Sequence, residues 1–166
     1  MSRFEAGDSW VGGDRATEGA RRGILEYGLD NDPALASAAR GGQPDTPLLV
    51  DRLDDPGNAY YLVPWMTAEG VAFVVKVDAS TGAMLSATTF SRPIRSPFLT
   101  PNEALDSVRR MLPHDALGRP RLVWRPCRES TNPSRPFYEI PLDEGVLYVD
   151  MDGSVIVELT PLGLGG

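Results

Sequence analysis

Two residue types that take part in nucleophilic catalysis occur once each in this chain. Cys127 is the only cysteine and His114 is the only histidine. A thiol nucleophile needs a base within hydrogen-bond reach and usually a third group that orients the base. The sequence does not supply that arrangement, and one cysteine with one histidine cannot complete a zinc site. We predict no catalytic residue, no metal and no cofactor. An enzyme built on Cys127 and His114 is the third candidate function.

The residues Asp150, Asp152 and Gly153 place two carboxylates beside a glycine, as calcium-binding loops do. The remaining ligand positions of such a loop, and its distal glutamate, are missing from the sequence. Asp-Gly is also the preferred dipeptide of a tight hairpin turn. We therefore interpret this segment as a turn between two strands.

The segment of residues 125–136, here called the Arg-rich loop, is the most informative local feature. It is long and rich in proline, and an aromatic residue flanks it on each side. Arginine and aromatic side chains often anchor protein interfaces, and long loops are often functional. The alternative, left open, is a proline-stiffened crossover whose arginines pair with nearby acids. The candidate partner-binding residues are Trp124, Arg125, Arg128, Arg135 and Phe137.

The composition bounds the partners and the compartment. The formal net charge is -7, whereas nucleic-acid binding needs a basic face. No apolar run reaches the roughly eighteen residues of a membrane helix, and the first residues lack the apolar region of a secretory signal. A single cysteine excludes an intrachain disulfide. We expect an acidic, soluble, cytoplasmic protein with a protein partner and without a nucleic-acid or membrane partner; a homo-oligomer is an open alternative.

Turn and strand signals predict a first unit over residues 32–92. It would begin with a helix that has Asp32 as N-cap and Pro33 at its first position, followed by four short strands. Residues 1–31 would form a polar lead with a short helix over residues 15–27, weakened by its glycines. The first dozen residues of this lead should be loosely held.

A second unit is predicted over residues 99–160. Thr100 and Glu103 have the spacing of a capping box, so a helix should start here and be followed by four further strands. Residues 93–98 would link the two units. Residues 161–166, which end in Gly-Gly, are interpreted as a flexible tail.

The two strand regions place similar residues in the same order. Tyr61 and Pro64 have counterparts in Tyr138 and Pro141, each pair followed by Glu-Gly, Val-Asp and a glycine turn. A recurrence of this length indicates a tandem domain rather than a solenoid. We predict an α+β fold of two tandem repeats, each a helix packed on a short antiparallel sheet of about four strands. The alternative is two unrelated meanders that share turn residues.

The segments "VVKVDASTGAML" and "LYVDMDGSVIVEL", with a helix upstream of each, resemble PepSY-type domains. These domains are similar in fold to cystatins. The second segment departs from the PepSY pattern, because it lacks the Thr-Gly step. The chain also resembles, more weakly, small bacterial immunity proteins that end in a similar Val-Asp-x-x-Thr-Gly hairpin. The resemblance implies a non-catalytic bacterial module that inhibits, chaperones or neutralises a partner such as a peptidase or toxin. A structural or assembly subunit that pairs through sheet edges is the alternative.

Overall fold

The computed structural model describes residues 10–163, and its fold mixes helices with a larger share of strands. The α-helices are α1 (Gly13–Glu26), α2 (Ala36–Gly41) and α3 (Pro101–Met111), and a 3-10 turn covers Leu29–Asn31. The nine strands of the described residues are β1 (Gln43–Pro44), β2 (Leu48–Arg52), β3 (Ala59–Thr67), β4 (Gly70–Asp78), β5 (Met84–Ile94), β6 (Arg121–Trp124), β7 (Phe137–Pro141), β8 (Val146–Val149) and β9 (Val155–Ile156).

The chain divides into two compact units. Within the described residues, the first unit contains 10–49 and 57–96, and the second contains 50–56 and 97–163. The sequence predicts a first unit that starts at residue 32. The structure instead includes α1 in that unit, because Ala16, Ala20 and Ile24 are buried in its core. The predicted looseness of the first dozen residues falls mostly on residues 1–9, which lie outside the described residues.

Helix α1 packs on its unit through small residues, which permit a close approach of backbones. An ideal Cβ on Gly19 would lie 1.8 Å from the carbonyl oxygen of Gly82. A Cβ on Gly23 would lie 2.4 Å from the Cβ of Met84. The low helix propensity of glycine, which the sequence suggests is a weakness, is therefore accepted for a contact that no other residue allows. The buried residues of α1 are Ala16, Gly19, Ala20, Gly23 and Ile24.

The helix predicted from Asp32 begins later in the structure and is not the main helix of its unit. The Asp32 carboxylate accepts a hydrogen bond from the N–H of Ala34 at 2.8 Å. The Ala36 N–H donates to the Asp32 carbonyl at 2.7 Å, which completes a turn before α2 starts. No residue of α2 is buried. The helix meets the strands through Trp65, whose indole N–H donates to the Ala38 carbonyl at 3.1 Å.

Strands β3, β4 and β5 form an antiparallel meander, and β1 pairs with β3. The central strands carry long runs of β-branched and aromatic residues, which favour extended backbone and pack well on a sheet. Trp65 stacks on Phe73 with ring centroids 5.5 Å apart. Almost every residue of β3 is buried, so this strand is at the centre of the first unit.

The second unit begins with the capping box that the sequence predicts. The Glu103 N–H donates to the Thr100 hydroxyl oxygen at 3.2 Å, and the Thr100 N–H donates to the Glu103 carboxylate at 2.7 Å. Strands β6 to β9 pair antiparallel in chain order, and the end of β2 pairs in parallel with β6. Strand β9 is short, and its pairing with β8 ends at Ile156.

In each unit a buried tyrosine holds the chain just ahead of a helix. The Tyr61 hydroxyl donates to the Val11 carbonyl at 2.7 Å. The Tyr138 hydroxyl donates to the Leu99 carbonyl at 2.8 Å. Burial raises the pKa of Tyr61, and burial, with a smaller contribution from Glu103, raises the pKa of Tyr138 to about 12. Both phenols are therefore neutral donors at physiological pH.

Replacing Gly19 by Ala should lower the melting temperature, because the new methyl group must displace the Gly82 carbonyl. Overpacking of this kind costs about 1–3 kcal/mol. Gly13→Ala is the matched control, since its Cβ would meet nothing closer than Pro47 at 3.8 Å. That variant should gain up to about 1 kcal/mol of helix propensity. Thermal unfolding followed by circular dichroism measures both, and equal melting temperatures would contradict the close contact.

Because the pKa of Tyr138 is raised, the free energy of unfolding should decrease as the pH rises in the alkaline range. The phenol titrates near its ordinary value of 10.0 when unfolded and at about 12 when folded. Its stabilising contribution is therefore fully present below pH 10 and is lost as the pH rises through about 12. Urea unfolding midpoints across this range should fall less steeply in Tyr138→Phe than in wild type. An unchanged slope in Tyr138→Phe would refute the assignment.

Candidate functional site

Two of the five predicted partner-binding residues belong to the core of the second unit. Phe137 is fully buried and packs edge-on against Tyr148, with ring centroids 6.5 Å apart. Trp124, whose direction the sequence leaves open, is only 7% exposed. Neither ring therefore presents a surface that a partner could contact.

The three arginines have different environments. A guanidinium nitrogen of Arg125 donates to the Leu159 carbonyl. Arg135 pairs with the Asp152 carboxylate at 2.9 Å, and both side chains are exposed. Of these two residues, only Arg135 makes the ion pair with an acid that the crossover alternative expects. The Arg128 side chain is exposed and makes no hydrogen bond or ion pair that the structure records within residues 10–163.

The Arg-rich loop is bonded to the chain that follows β9. Cys127 and Pro161 form an isolated backbone bridge, and the Arg128 N–H donates to the Thr160 carbonyl at 2.9 Å. The Glu129 carboxylate accepts the Thr160 N–H at 2.9 Å and the Thr160 hydroxyl at 2.7 Å. The hydroxyl bond lowers the pKa of Glu129. Pro161, predicted to start a flexible tail, is held in place, whereas residues 164–166 lie outside the described residues.

Further bonds give the loop a fixed internal structure. The Ser130 hydroxyl donates to the carbonyls of Asn132 and Arg135, at 3.0 and 2.8 Å. The Asn132 side-chain oxygen accepts the Ser134 N–H at 2.9 Å. Sequence reasoning missed these residues, although Asn and Ser next to proline are typical turn residues. The loop is therefore an ordered part of its unit.

The Cys127 thiol is buried and donates to the Ser130 carbonyl at a sulfur–oxygen distance of 3.6 Å. Burial raises the pKa of this thiol, so the nucleophilic thiolate is disfavoured at neutral pH. His114 lies on an exposed turn after α3. The described residues contain no group of three or more His, Cys, Asp or Glu side chains that could hold a metal ion.

The Asp150 carboxylate stabilises the hairpin turn between β8 and β9 by accepting backbone hydrogen bonds. It accepts the N–H groups of Asp152 and Ser154 at 3.0 and 2.8 Å. Gly153 has φ +86°, a left-handed conformation that glycine adopts without strain. The interpretation of this segment as a turn is confirmed.

Sequence reasoning also missed a groove in the first unit. Its volume is about 470 Å³, and it lies between α2, the β3–β4 turn and the end of β5. A groove of this size suits a small ligand or a few side chains of a peptide. The lining residues are Ala34, Leu35, Ser37, Ala38, Gly41, Thr67, Ala68, Glu69, Ala72, Phe90, Ser91, Arg92 and Pro93.

One wall of the groove is an irregular part of β5. Val71 pairs with Ile94 but Phe73 pairs with Thr89, so β5 contains extra residues that bulge out of the ladder. Bulges re-aim side chains and are common at sheet edges. Here the bulge, residues 90–93, supplies an aromatic, a hydroxyl, a guanidinium and a proline to the groove. Within the first unit, β5 pairs with β4 on one side, and no strand of that unit pairs with its other side.

Comparisons with known proteins do not place the chain in a family. No family model matches it, and no curated protein matches it. A similar solved structure is that of a candidate lipoprotein from Clostridium difficile 630, which is 14% identical. The match covers 80% of this chain and 87% of that chain, with a TM-score of 0.27. A TM-score this low does not establish a shared fold or function. No helix among the described residues has the length and apolar character to cross a membrane.

The different environments of the loop arginines predict different mutant effects. Arg125→Ala removes the charged donor of the Leu159 carbonyl, a type of bond that contributes about 1.5–3 kcal/mol, so its urea midpoint should fall. Arg128→Ala removes an exposed side chain, and its stability should stay within about 0.5 kcal/mol of wild type. Equal destabilisation of the two variants would show that the bond to Leu159 is not what distinguishes them.

Proposed function

We propose that the chain is a non-catalytic bacterial binding module that inhibits, chaperones or neutralises a partner protein, such as a peptidase or a toxin. The buried, protonated Cys127 thiol supports a function without nucleophilic catalysis. The observation that carries the proposal is the groove beside the bulged edge strand β5. The acidic, soluble module would act in the cytoplasm, without a nucleic-acid or membrane partner.

We further propose that the two units are tandem repeats of a PepSY-like, cystatin-like domain. In this proposal the counterpart of α3 is α1, not the segment from Asp32. The support comes from the paired bonds Tyr61 to Val11 and Tyr138 to Leu99, which reach the same position ahead of each helix. The buried faces of the two helices also correspond: Ala16 with Ala104, Gly19 with Ser107, and Ala20 with Val108.

The binding surface of this module would be the β5 edge together with the groove. The open edge of β5 can pair with an extended segment of a partner, which would add a strand and gain main-chain hydrogen bonds. Small side chains on α2 and in the β3–β4 turn leave room for an apolar side chain of that segment. Glu69 and Arg92 line the same groove. They would favour a basic and an acidic residue beside the apolar one.

A structural or assembly subunit is the second candidate, because two copies could pair through the same open β5 edge. The two functions predict different states for the isolated protein. A binding module stays monomeric at micromolar concentration, whereas an assembly subunit forms dimers or larger species. Light scattering after size-exclusion chromatography distinguishes them. Dimers that disappear in Leu85→Lys, which adds a charge at a half-exposed position of β5, would favour assembly.

Filling the groove tests the binding function. Ser37 is an exposed groove residue on α2, and Ser37→Trp should block the groove without disturbing the core. Ser154→Trp adds the same bulk at an exposed serine of the second unit and is the matched control. Both variants and wild type serve as bait in a native lysate, with mass spectrometry of the bound proteins. A partner retained by wild type and Ser154→Trp but lost by Ser37→Trp supports the groove, and identical capture by all three baits refutes it.

The Arg128 side chain remains the candidate contact of the Arg-rich loop. It is the loop arginine for which no local partner is recorded in the described part of the chain. If it anchors the partner, the stable variant Arg128→Ala should bind the captured protein more weakly by about 1–2 kcal/mol.

A further inference from the structure

The residues 159–161, here called the latch, are held differently from the rest of the second unit. Strand pairing ends at Ile156, and the structure records one isolated bridge beyond it, between Pro161 and Cys127. A regular ladder would bond successive residues to a neighbouring strand. The latch depends instead on a few bonds to the Arg-rich loop. It therefore has the features expected of a segment that opens locally before the unit unfolds.

Most of the bonds of the latch converge on one residue. The Thr160 carbonyl accepts the Arg128 N–H. The N–H and the hydroxyl of Thr160 both donate to the Glu129 carboxylate. Leu159 is 2% exposed, and its carbonyl accepts the Arg125 guanidinium. The loop thus contacts the Leu-Thr-Pro segment through the backbone of Leu159 and through the backbone and hydroxyl of Thr160.

The closed latch also has a cost. The Nε of Arg125 is buried and has no hydrogen-bond partner within the residues that the structure describes. A buried donor without a partner loses its hydration without compensation. When the latch opens, water reaches this group, so part of the energy of the broken bonds is regained. Cys127, paired with Pro161, is fully buried while the latch is closed.

We propose that the latch is an exchangeable strand that covers a peptide-binding cleft of the Arg-rich loop. The cleft consists of Arg125, Arg128 and Glu129, and Cys127 is the backbone neighbour of Pro161 beside it. Its occupant in this structure is the chain's own Leu-Thr-Pro segment. When that segment leaves, the cleft takes an extended Leu-Thr-Pro segment of a partner protein in its place. This proposal rests on the contacts of the second unit and is independent of the groove in the first.

Cys127 reports on the latch, since it is the only cysteine of the chain. Its rate of reaction with an aromatic disulfide reagent, followed by absorbance, measures how often the latch opens. Thr160→Val keeps the shape of the side chain but removes the hydroxyl bond to Glu129. Loss of a hydrogen bond to a charged group should speed the reaction about tenfold or more. Thr131→Val, an equally conservative change at an exposed threonine of the same loop, should leave the rate unchanged.

Two outcomes would overturn the latch. One is a Thr160→Val rate equal to that of wild type and Thr131→Val. The other is a wild-type rate that rises with urea as steeply as global unfolding does, because local opening exposes little surface and has a shallow dependence.

Exchange is tested in trans with the synthetic peptide Val-Glu-Leu-Thr-Pro-Leu-Gly, which copies residues 157–163. Added to the Thr160→Val protein, it should occupy the opened cleft and slow the reaction of Cys127. The same peptide with valine in place of threonine is the control and should protect less. Protection by neither peptide, or equal protection by both, would overturn the exchange of Leu-Thr-Pro segments.

Discussion

A hydrogen bond from a buried tyrosine to the backbone ahead of a helix is the constraint on which each unit depends. It joins β3 in the first unit, and β7 in the second, to the residue just before the N-cap of α1 or α3. In the first unit the glycines of α1 then allow the helix backbone to touch the β4–β5 turn. Small changes at this contact are costly because packed interiors have few voids to absorb them.

Most polar groups of the Arg-rich loop form hydrogen bonds within the loop or with the residues that follow β9. A long segment with little regular structure must satisfy its buried backbone groups by other means. Here Ser130, Asn132 and Glu129 do so. This explains how a loop so rich in arginine can be a structural component.

Features with a local cause could be predicted from the sequence, and features with a distant cause could not. The capping box of Thr100 and Glu103 follows from residues three positions apart and matches the structure. The sequence does not reveal that α1 packs in the core of the first unit. Its glycines lower the helix propensity, and only the close contact with Gly82 explains why they are present. The Asp32 side chain caps a turn rather than a helix. The residues next to Asp32 are compatible with both structures. The bonds between Glu129 and Thr160, and the groove beside the β5 bulge, join residues far apart in sequence.

The edge strand β5 also bears on solubility. Its first eight residues, Met84–Ser91, contain no charged side chain, and one side of this strand has no pairing partner in its unit. Uncharged edge strands are the usual starting points of aggregation, and proteins protect them with charges and prolines. Arg92 and Pro93 follow directly and act as such gatekeepers at one end only. The proposed partner-binding edge of β5 is therefore also a segment that favours self-association when no partner is bound.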